Sequence, residues 1–282
     1  MIVNTAAYHF VPLADGPALR DQLLASAQAQ ALKGTILVSP EGINLFLAGS
    51  AQGIDAFYAP LLADDRFATM VVKRSYSEHL PFPRLKAKFK PEIISFRRDD
   101  AQPLDYPRAP AVAPATLARW LAQGHDDAGK PVVMLDTRNQ QEVAYGTFDN
   151  ALTFPIDKFT DLPDALAPHR EALADKTVVS FCTGGIRCEK AALWMVNDGM
   201  DNVLQLDGGI LGYFEQVGGA GYNGGCFVFD ARVAVDPALK PLHDAPVPPP
   251  QAVMPSNPNK AGRARVRAAE QARAAVAAAQ EG

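Results

Sequence analysis

Residues 178–190, Val-Val-Ser-Phe-Cys-Thr-Gly-Gly-Ile-Arg-Cys-Glu-Lys, constrain this chain more than any other stretch. An apolar strand runs into Cys182, two glycines let the backbone curl, and a helix is expected to begin near Cys188. Such a strand–loop–helix turn aims several backbone N–H groups into one concavity, here those of Thr183, Gly184, Gly185 and Ile186. The helix N-terminus adds roughly half a positive charge there. A cysteine in that field, with Arg187 beside it, is expected to stand as thiolate near neutral pH. A buried inert cysteine behaves as a small hydrophobe and needs neither flanking glycines nor an arginine. That plainer reading suits Cys226, which lies in Gly-Gly-Cys-Phe-Val-Phe.

The loop's size narrows its chemistry. Cys182 and Arg187 enclose four residues, whereas the cradle of a cysteine phosphatase encloses five. The smaller ring of N–H groups suits a persulfide sulfur or a small adduct better than a phosphate, which counts against phosphatase activity.

Around this loop, short Val- and Leu-rich strands alternate with helices. Strands are expected at 132–135, 151–154, 177–181 and 203–206, and helices at 114–123, 188–198 and 208–216 with a shorter one near 162–173. That alternation predicts a parallel sheet covered on both faces, with ligands at the carboxyl ends of its strands. The first hundred residues read differently. Strands are expected at 6–13, 34–39, 43–48, 67–74 and 89–96, and helices at 18–32 and 52–62, with Pro40-Glu41-Gly42 as a turn. The order β-α-β-β-α-β is that of a ferredoxin-like α+β unit. A Pro-rich linker over 101–113 separates this unit, 1–100, from the α/β unit, 114–225. A C-terminal extension follows at 226–245. Residues 246–282, a Pro-rich connector and an Ala/Arg-rich stretch, are expected to be a loose connector with a solvated helix or tail.

With 282 residues and 48% hydrophobic content the chain has enough material for two cored domains. Three cysteines without a C-x-x-C pair argue against a disulfide scaffold or a structural zinc site, and no histidine cluster offers a metal site. No apolar run is long enough to span a bilayer, and the N-terminus does not read as a signal peptide, so a reducing cytoplasm is expected. Net charge is −4, yet Lys73 to Arg98 holds eight cations against Glu78 and Glu92. That band is a phosphate-binding surface or a solvated edge strand guarded by lysines. Arg84, Lys86, Lys88 and Lys90 alternate within it, so their side chains are expected to share one face.

The motifs converge on one family. Cys182-Thr-Gly-Gly-Ile-Arg187 resembles the C-x-x-G-x-R loop of rhodanese domains, and Asp136-Thr-Arg138 resembles their D-x-R motif. With Pro40-Glu-Gly-Ile-Asn44, Leu206-Asp-Gly-Gly-Ile210 and Cys226-Phe-Val-Phe-Asp230, the chain resembles the bacterial tRNA uridine hydroxylase family. That resemblance runs from about residue 5 to Val235. It implies an acylphosphatase-like domain followed by a rhodanese domain. It also implies O2-dependent conversion of the wobble uridine (position 34) of tRNA to 5-hydroxyuridine, with Cys182 as the active-site cysteine. The partner implied is the anticodon loop of tRNA and the co-substrate is molecular oxygen, with no metal or organic cofactor. Two departures stand out. Gln141 precedes Glu142 where the family usually has an aromatic residue, and no cysteine follows Cys226 where many members carry a cysteine-rich segment.

Roles follow from chemistry. A sulfur nucleophile on Cys182, thiolate or persulfide, is expected to add to C6 of the uracil, with Arg187 and the loop N–H groups stabilising negative charge. Asp136 and Arg138 are expected to orient the loop. Glu142 reads equally as a general base or as an ion-pair partner, and Cys188 as a packing residue or one that resolves a persulfide. Glu189 is expected to favour the helix N-terminus. A sulfurtransferase passing sulfane sulfur from thiosulfate through a Cys182 persulfide is the alternative activity. The basic band favours the tRNA reading, since a bare sulfurtransferase has no use for it.

Overall fold

The structure, a computed structural model, describes residues 1–242. The Pro-rich connector and the Ala/Arg-rich helix or tail expected at 246–282 lie outside the described residues.

The first sheet is built from β1 (Ile2–Phe10), β2 (Lys33–Ser39), β3 (Gly42–Gly49), β4 (Val72–Ser77) and β5 (Leu85–Phe89) in the order β4-β1-β3-β2-β5. Helices α1 (Gly16–Ala29) and α2 (Ala51–Leu62) accompany it. The order β4-β1-β3-β2 with antiparallel neighbours is the ferredoxin-like plan, and β5 extends it by pairing parallel to β2. Period-2 alternation divides the sheet's faces. Val3, Ala7, Ile36, Val38, Ile43, Leu45 and Leu47 pack with Leu19, Leu23, Ile54 and Phe57 of the helices. The opposite face carries Tyr8, Phe10, Asn44 and Phe46. Helix α2 starts where the Ser50 hydroxyl accepts a hydrogen bond from the Gly53 N–H at 3.0 Å, a cap worth about 1 kcal/mol.

The second sheet is wholly parallel, in the order β6 (Ala111–Val112), β10 (Val203–Leu206), β9 (Thr177–Phe181), β7 (Val132–Asp136). Along the chain, β6 is followed by α3 (Pro114–Gln123), β7 (Val132–Asp136), α4 (Gln140–Val143) and β8 (Gly146–Phe148). Next come α5 (Leu162–Leu166), α6 (Arg170–Leu173), β9 (Thr177–Phe181), α7 (Ile186–Asn197), β10 (Val203–Leu206) and α8 (Gly209–Val217). Two small antiparallel pairs follow among the described residues: β11 (Tyr222–Gly224) on β8, and β12 (Cys226–Phe227) on β13 (Ala234–Val235). All five residues of β9 are buried, as a central strand covered on both faces requires. Val178 faces Ala191, Trp194 and Met195 of α7, while Val179 and Phe181 face Leu117 of α3 and Tyr213 of α8.

Several expected elements move. The strand expected at 67–74 is β4, starting at Val72, because Phe67 and Met70 turn inward to fill the first core. The strand expected at 89–96 is β5, ending at Phe89; the apolar residues beyond it, Ile94 and Phe96, belong to the second core instead. Residues 151–154 form no strand: Leu152 makes a single bridge to Leu135, and Phe154 packs among side chains. The segment expected as a linker contributes β6, with Ala101 and Ala109 buried. The helix expected near 162–173 is split into α5 and α6, and α7 begins at Ile186, ahead of the expected Cys188.

Candidate active site

Strand β9 delivers Cys182 to the carboxyl edge of the parallel sheet, and α7 starts four residues later. Gly185 makes that turn possible. Its φ is +106°, and a Cβ there would lie 2.9 Å from the Tyr8 hydroxyl. Helix α8 holds the loop from the other side. The Ile210 N–H donates to the Cys182 carbonyl at 2.9 Å and the Leu211 N–H to that of Thr183 at 3.0 Å. A Cβ on Gly209 would sit 2.6 Å from both the Cys182 carbonyl oxygen and the Gly185 nitrogen. The Thr183 hydroxyl donates to the Phe227 carbonyl at 3.3 Å, tying the loop to β12.

Cys182 is 1% exposed, and its Sγ accepts a hydrogen bond from the Gly185 N–H at 3.1 Å. Burial alone pushes its thiol up, but Cys188, Arg187 and the loop N–H groups together hold it down at about 5. Cys188 Sγ lies 3.9 Å away and donates to the Gly185 carbonyl at 3.0 Å; burial and the neighbouring sulfur push that thiol up. The two environments thus pull in opposite directions, Cys182 toward the thiolate and Cys188 toward the thiol. Burial pushes the third, Cys226, up to about 12.

Arg187 does not reach into an open cradle. Its guanidinium is paired two-for-two with Glu142, both N···O distances 2.6 Å, with the carboxylate wholly buried. The residue thus acts on Cys182 through its charge, and the geometry makes Glu142 an ion-pair partner. Asp136 and Arg138 form a second buried fork, at 2.9 and 2.6 Å, and Arg138 also donates to the Gly146 carbonyl. The adjoining Thr137 donates from both backbone and hydroxyl to the Phe181 carbonyl, fixing the strand end that presents Cys182. Gln141 donates to Asp157 at 2.6 Å from the turn that carries Glu142.

The face of the first sheet away from its own helices lies against this loop. The Tyr8 hydroxyl donates to Glu189 at 2.8 Å, and Lys73 Nζ donates to the Gly184 carbonyl at 3.0 Å. Lys190 of α7 pairs with Glu41 in the β2–β3 turn at 2.8 Å. Neither Tyr8 nor Lys73 carries a local signal for this role: Tyr8 is one aromatic residue in a strand, and Lys73 one cation in the basic band. Cross-strand register extends the same face outward in a row, Lys73–Ala6–Phe46–Thr35–Lys86, with Lys88 beside Leu37 in the next row. Lys86 and Lys88 thus share a face, with Leu85 and Ala87 packed on the core side. Arg84 and Lys90 flank the strand in the same alternation. A cleft opens where this face meets the loop, lined by Phe46, Lys73, Phe82, Thr183, Phe229 and Arg232.

Comparison with known proteins now bears on this arrangement. Residues 2–93 match the model of the UPF0176 acylphosphatase-like domain, and residues 117–216 that of the rhodanese-like domain. The chain is 71% identical over 245 residues to the tRNA uridine(34) hydroxylase of Xanthomonas euvesicatoria pv. vesicatoria (strain 85-10), covering 87% of this chain and 98% of that one. It is 63% identical over 244 residues to the protein of the same name from Xylella fastidiosa (strain M23), covering 86% and 95%. The chain belongs to the tRNA uridine(34) hydroxylase family.

In this member of the hydroxylase family the rhodanese loop is closed on one side by the acylphosphatase-like domain. The arrangement can hold a nucleophilic sulfur as thiolate, keep a second thiol beside it, and present an aromatic and cationic cleft next to Thr183. Among the described residues no group of three or more His, Cys, Asp or Glu side chains is placed to hold a metal ion, and no helix is long and apolar enough to cross a membrane.

Proposed function

We propose that this chain hydroxylates C5 of the wobble uridine, position 34, in the anticodon loop of tRNA, with O2 as co-substrate, in the cytoplasm. The observation that carries the reading is the continuity between the Cys182 loop and the cationic sheet face: Lys73 touches the loop, and Lys86 ends the same row. The name shared by relatives about 70% identical over nearly their whole length points the same way.

Under this reading phosphates of the anticodon loop lie along Arg84, Lys86, Lys88 and Lys90, and the target base leaves the stack at modest cost because the loop is single-stranded. The base enters the cleft lined by Phe46 and Phe229, whose tilted rings stand 6.4 Å apart between centroids and separate to admit it. Cys182 is covered, so side chains at the cleft mouth must part; Phe229 is exposed on one side and packs on the other against Phe227 and the Arg187 guanidinium. The thiolate adds to C6 and makes C5 electron-rich enough to take up O2. Arg187 holds the negative charge near the loop through its field, and the Gly185 N–H stays on the sulfur.

The test is nucleoside mass spectrometry of unmodified tRNA incubated with purified protein in air and under nitrogen. Formation of 5-hydroxyuridine at position 34 in air alone is the expected result. Failure in air, together with sulfur transfer from thiosulfate, would assign the chain to sulfurtransferases instead.

A further inference from the structure

Hydroxylation by O2 leaves a deficit of electrons. Replacing C5–H by C5–OH takes one oxygen atom and supplies two electrons, and the second oxygen atom needs two more to leave as water. The described structure holds one reductant of the right capacity within reach of the reacting atoms. Cys182 and Cys188 face each other at 3.9 Å inside the loop, both shut off from solvent. They lie just after β9 and in the first turn of α7, separated along the chain by the five residues Thr183 to Arg187, which include the Gly184–Gly185 turn. Closing to a disulfide, about 2.05 Å, requires a movement of roughly 2 Å in that turn.

We propose that Cys188 is the second redox partner of the reaction, and that the Cys182–Cys188 dithiol supplies the two electrons for each turnover. The inference rests on the hydroxylase reading above. Cys182 sulfur bonds to C6, and C5 bonds to O2 to give a C5 peroxide, which is protonated. Cys188 sulfur then attacks the terminal peroxide oxygen. The O–O bond breaks, leaving C5–OH and a sulfenic acid on Cys188, whose thiol proton goes to the departing oxygen. Loss of the C5 proton and of the Cys182 sulfur from C6 restores the pyrimidine. The released Cys182 thiolate displaces hydroxide from the Cys188 sulfenic acid, giving the disulfide and, with that proton, water. In total, uridine, O2 and two thiols become 5-hydroxyuridine, one disulfide and one water. An external dithiol resets the pair by exchange. The split in acidity suits this order, since the anionic sulfur attacks carbon while its neighbour keeps a proton to give.

The experiment is a single turnover. Fully reduced protein, freed of reductant, is mixed with unmodified tRNA under nitrogen and then exposed to air. Expected is about one 5-hydroxyuridine per chain at most, with a Cys182–Cys188 disulfide formed in equal amount and mapped by alkylation and peptide mass spectrometry. Protein exposed to air without tRNA keeps both thiols. Added dithiol converts the single turnover into many. Cys188→Ser loses most of the reductant-free yield and regains part of it with dithiol, which a purely structural defect would not do. Product formed with both thiols still open to alkylation overturns the proposal on the unaltered protein. If neither condition yields product, the hydroxylase reading itself falls, and this inference with it.

Discussion

The ammonium of Lys190 and a carboxylate oxygen of Glu41 stand 2.8 Å apart, the lysine wholly buried and the glutamate 7% exposed in its side chain. One lies on the first turns of α7, directly after the cysteine loop; the other lies in the β2–β3 turn. Glu41 also accepts the Ile93 N–H at 2.8 Å, and Glu92 stands 3.5 Å from the same ammonium. The Pro-Glu-Gly turn is thus a clasp between the two sheets rather than a free hairpin.

Breaking that clasp at its cation should cost the most. Lys190→Met leaves the Glu41 carboxylate buried without its cation and should destabilise by about 3–5 kcal/mol, whereas Glu41→Gln leaves Lys190 with Glu92 at 3.5 Å and should cost less. The double variant should fall well short of the sum, and urea unfolding of the three variants gives the coupling directly.

Acidity at Cys182 yields a second expectation. Its folded-state value, about 5, is below the ordinary thiol value of 9.0. The thiolate therefore stabilises the fold fully above the ordinary thiol range, and that contribution is lost as pH falls toward 5. The stability gap between the protein and Cys182→Ser should widen as pH rises through this window. Thiolate absorbance should titrate with the same midpoint. Arg187→Gln should raise the midpoint and Glu142→Gln should lower it, because removing the carboxylate frees the guanidinium's charge to act on sulfur.

Two glycines with similar backbones separate strain from contact. Gly199 and Gly209 both have positive φ, +86° and +63°, but a Cβ on Gly199 meets nothing within 4 Å. Gly199→Ala should cost only the left-handed penalty, about 1–2 kcal/mol. Gly209→Ala should cost more and should also slow hydroxylation, because its methyl drives into the Cys182 carbonyl and the Gly185 nitrogen. Thermal melts and single-turnover rates on both variants check this.

For the cationic face, Lys86→Ala with Lys88→Ala should weaken tRNA binding alike for every tRNA tested. If each lysine neutralises one phosphate, the slope of log affinity against log salt should shrink by about 1.4. An unchanged slope would return these residues to edge protection.

The cysteine loop, the parallel sheet around it and the four-strand order of the first sheet were all legible because each depends on short-range pattern. What escaped was contact across the chain. Tyr8 meets Glu189 over 181 residues and Lys73 meets Gly184 over 111, distances no spacing rule can bridge. Strand β5 is hard to place from sequence for a different reason. Its lysines face away from the core and mute its hydrophobic signal, while Ile94 and Phe96, which looked like strand, are fillers of the second core. Glu142 illustrates the limit on roles: a buried carboxylate three residues from a helix cap fits a base or a counter-ion until Arg187 is seen closing on it.

The row from Lys73 to Lys86 also works as a gauge. Four inter-strand steps of about 4.8 Å set its ends roughly 19 Å apart, in a sheet that cannot stretch. A nucleic acid loop seated on the far lysine brings to the sulfur only the nucleotide at that reach. Selection of the target would then be metric as well as chemical, and an anticodon loop lengthened by one nucleotide should be modified at a shifted position or not at all.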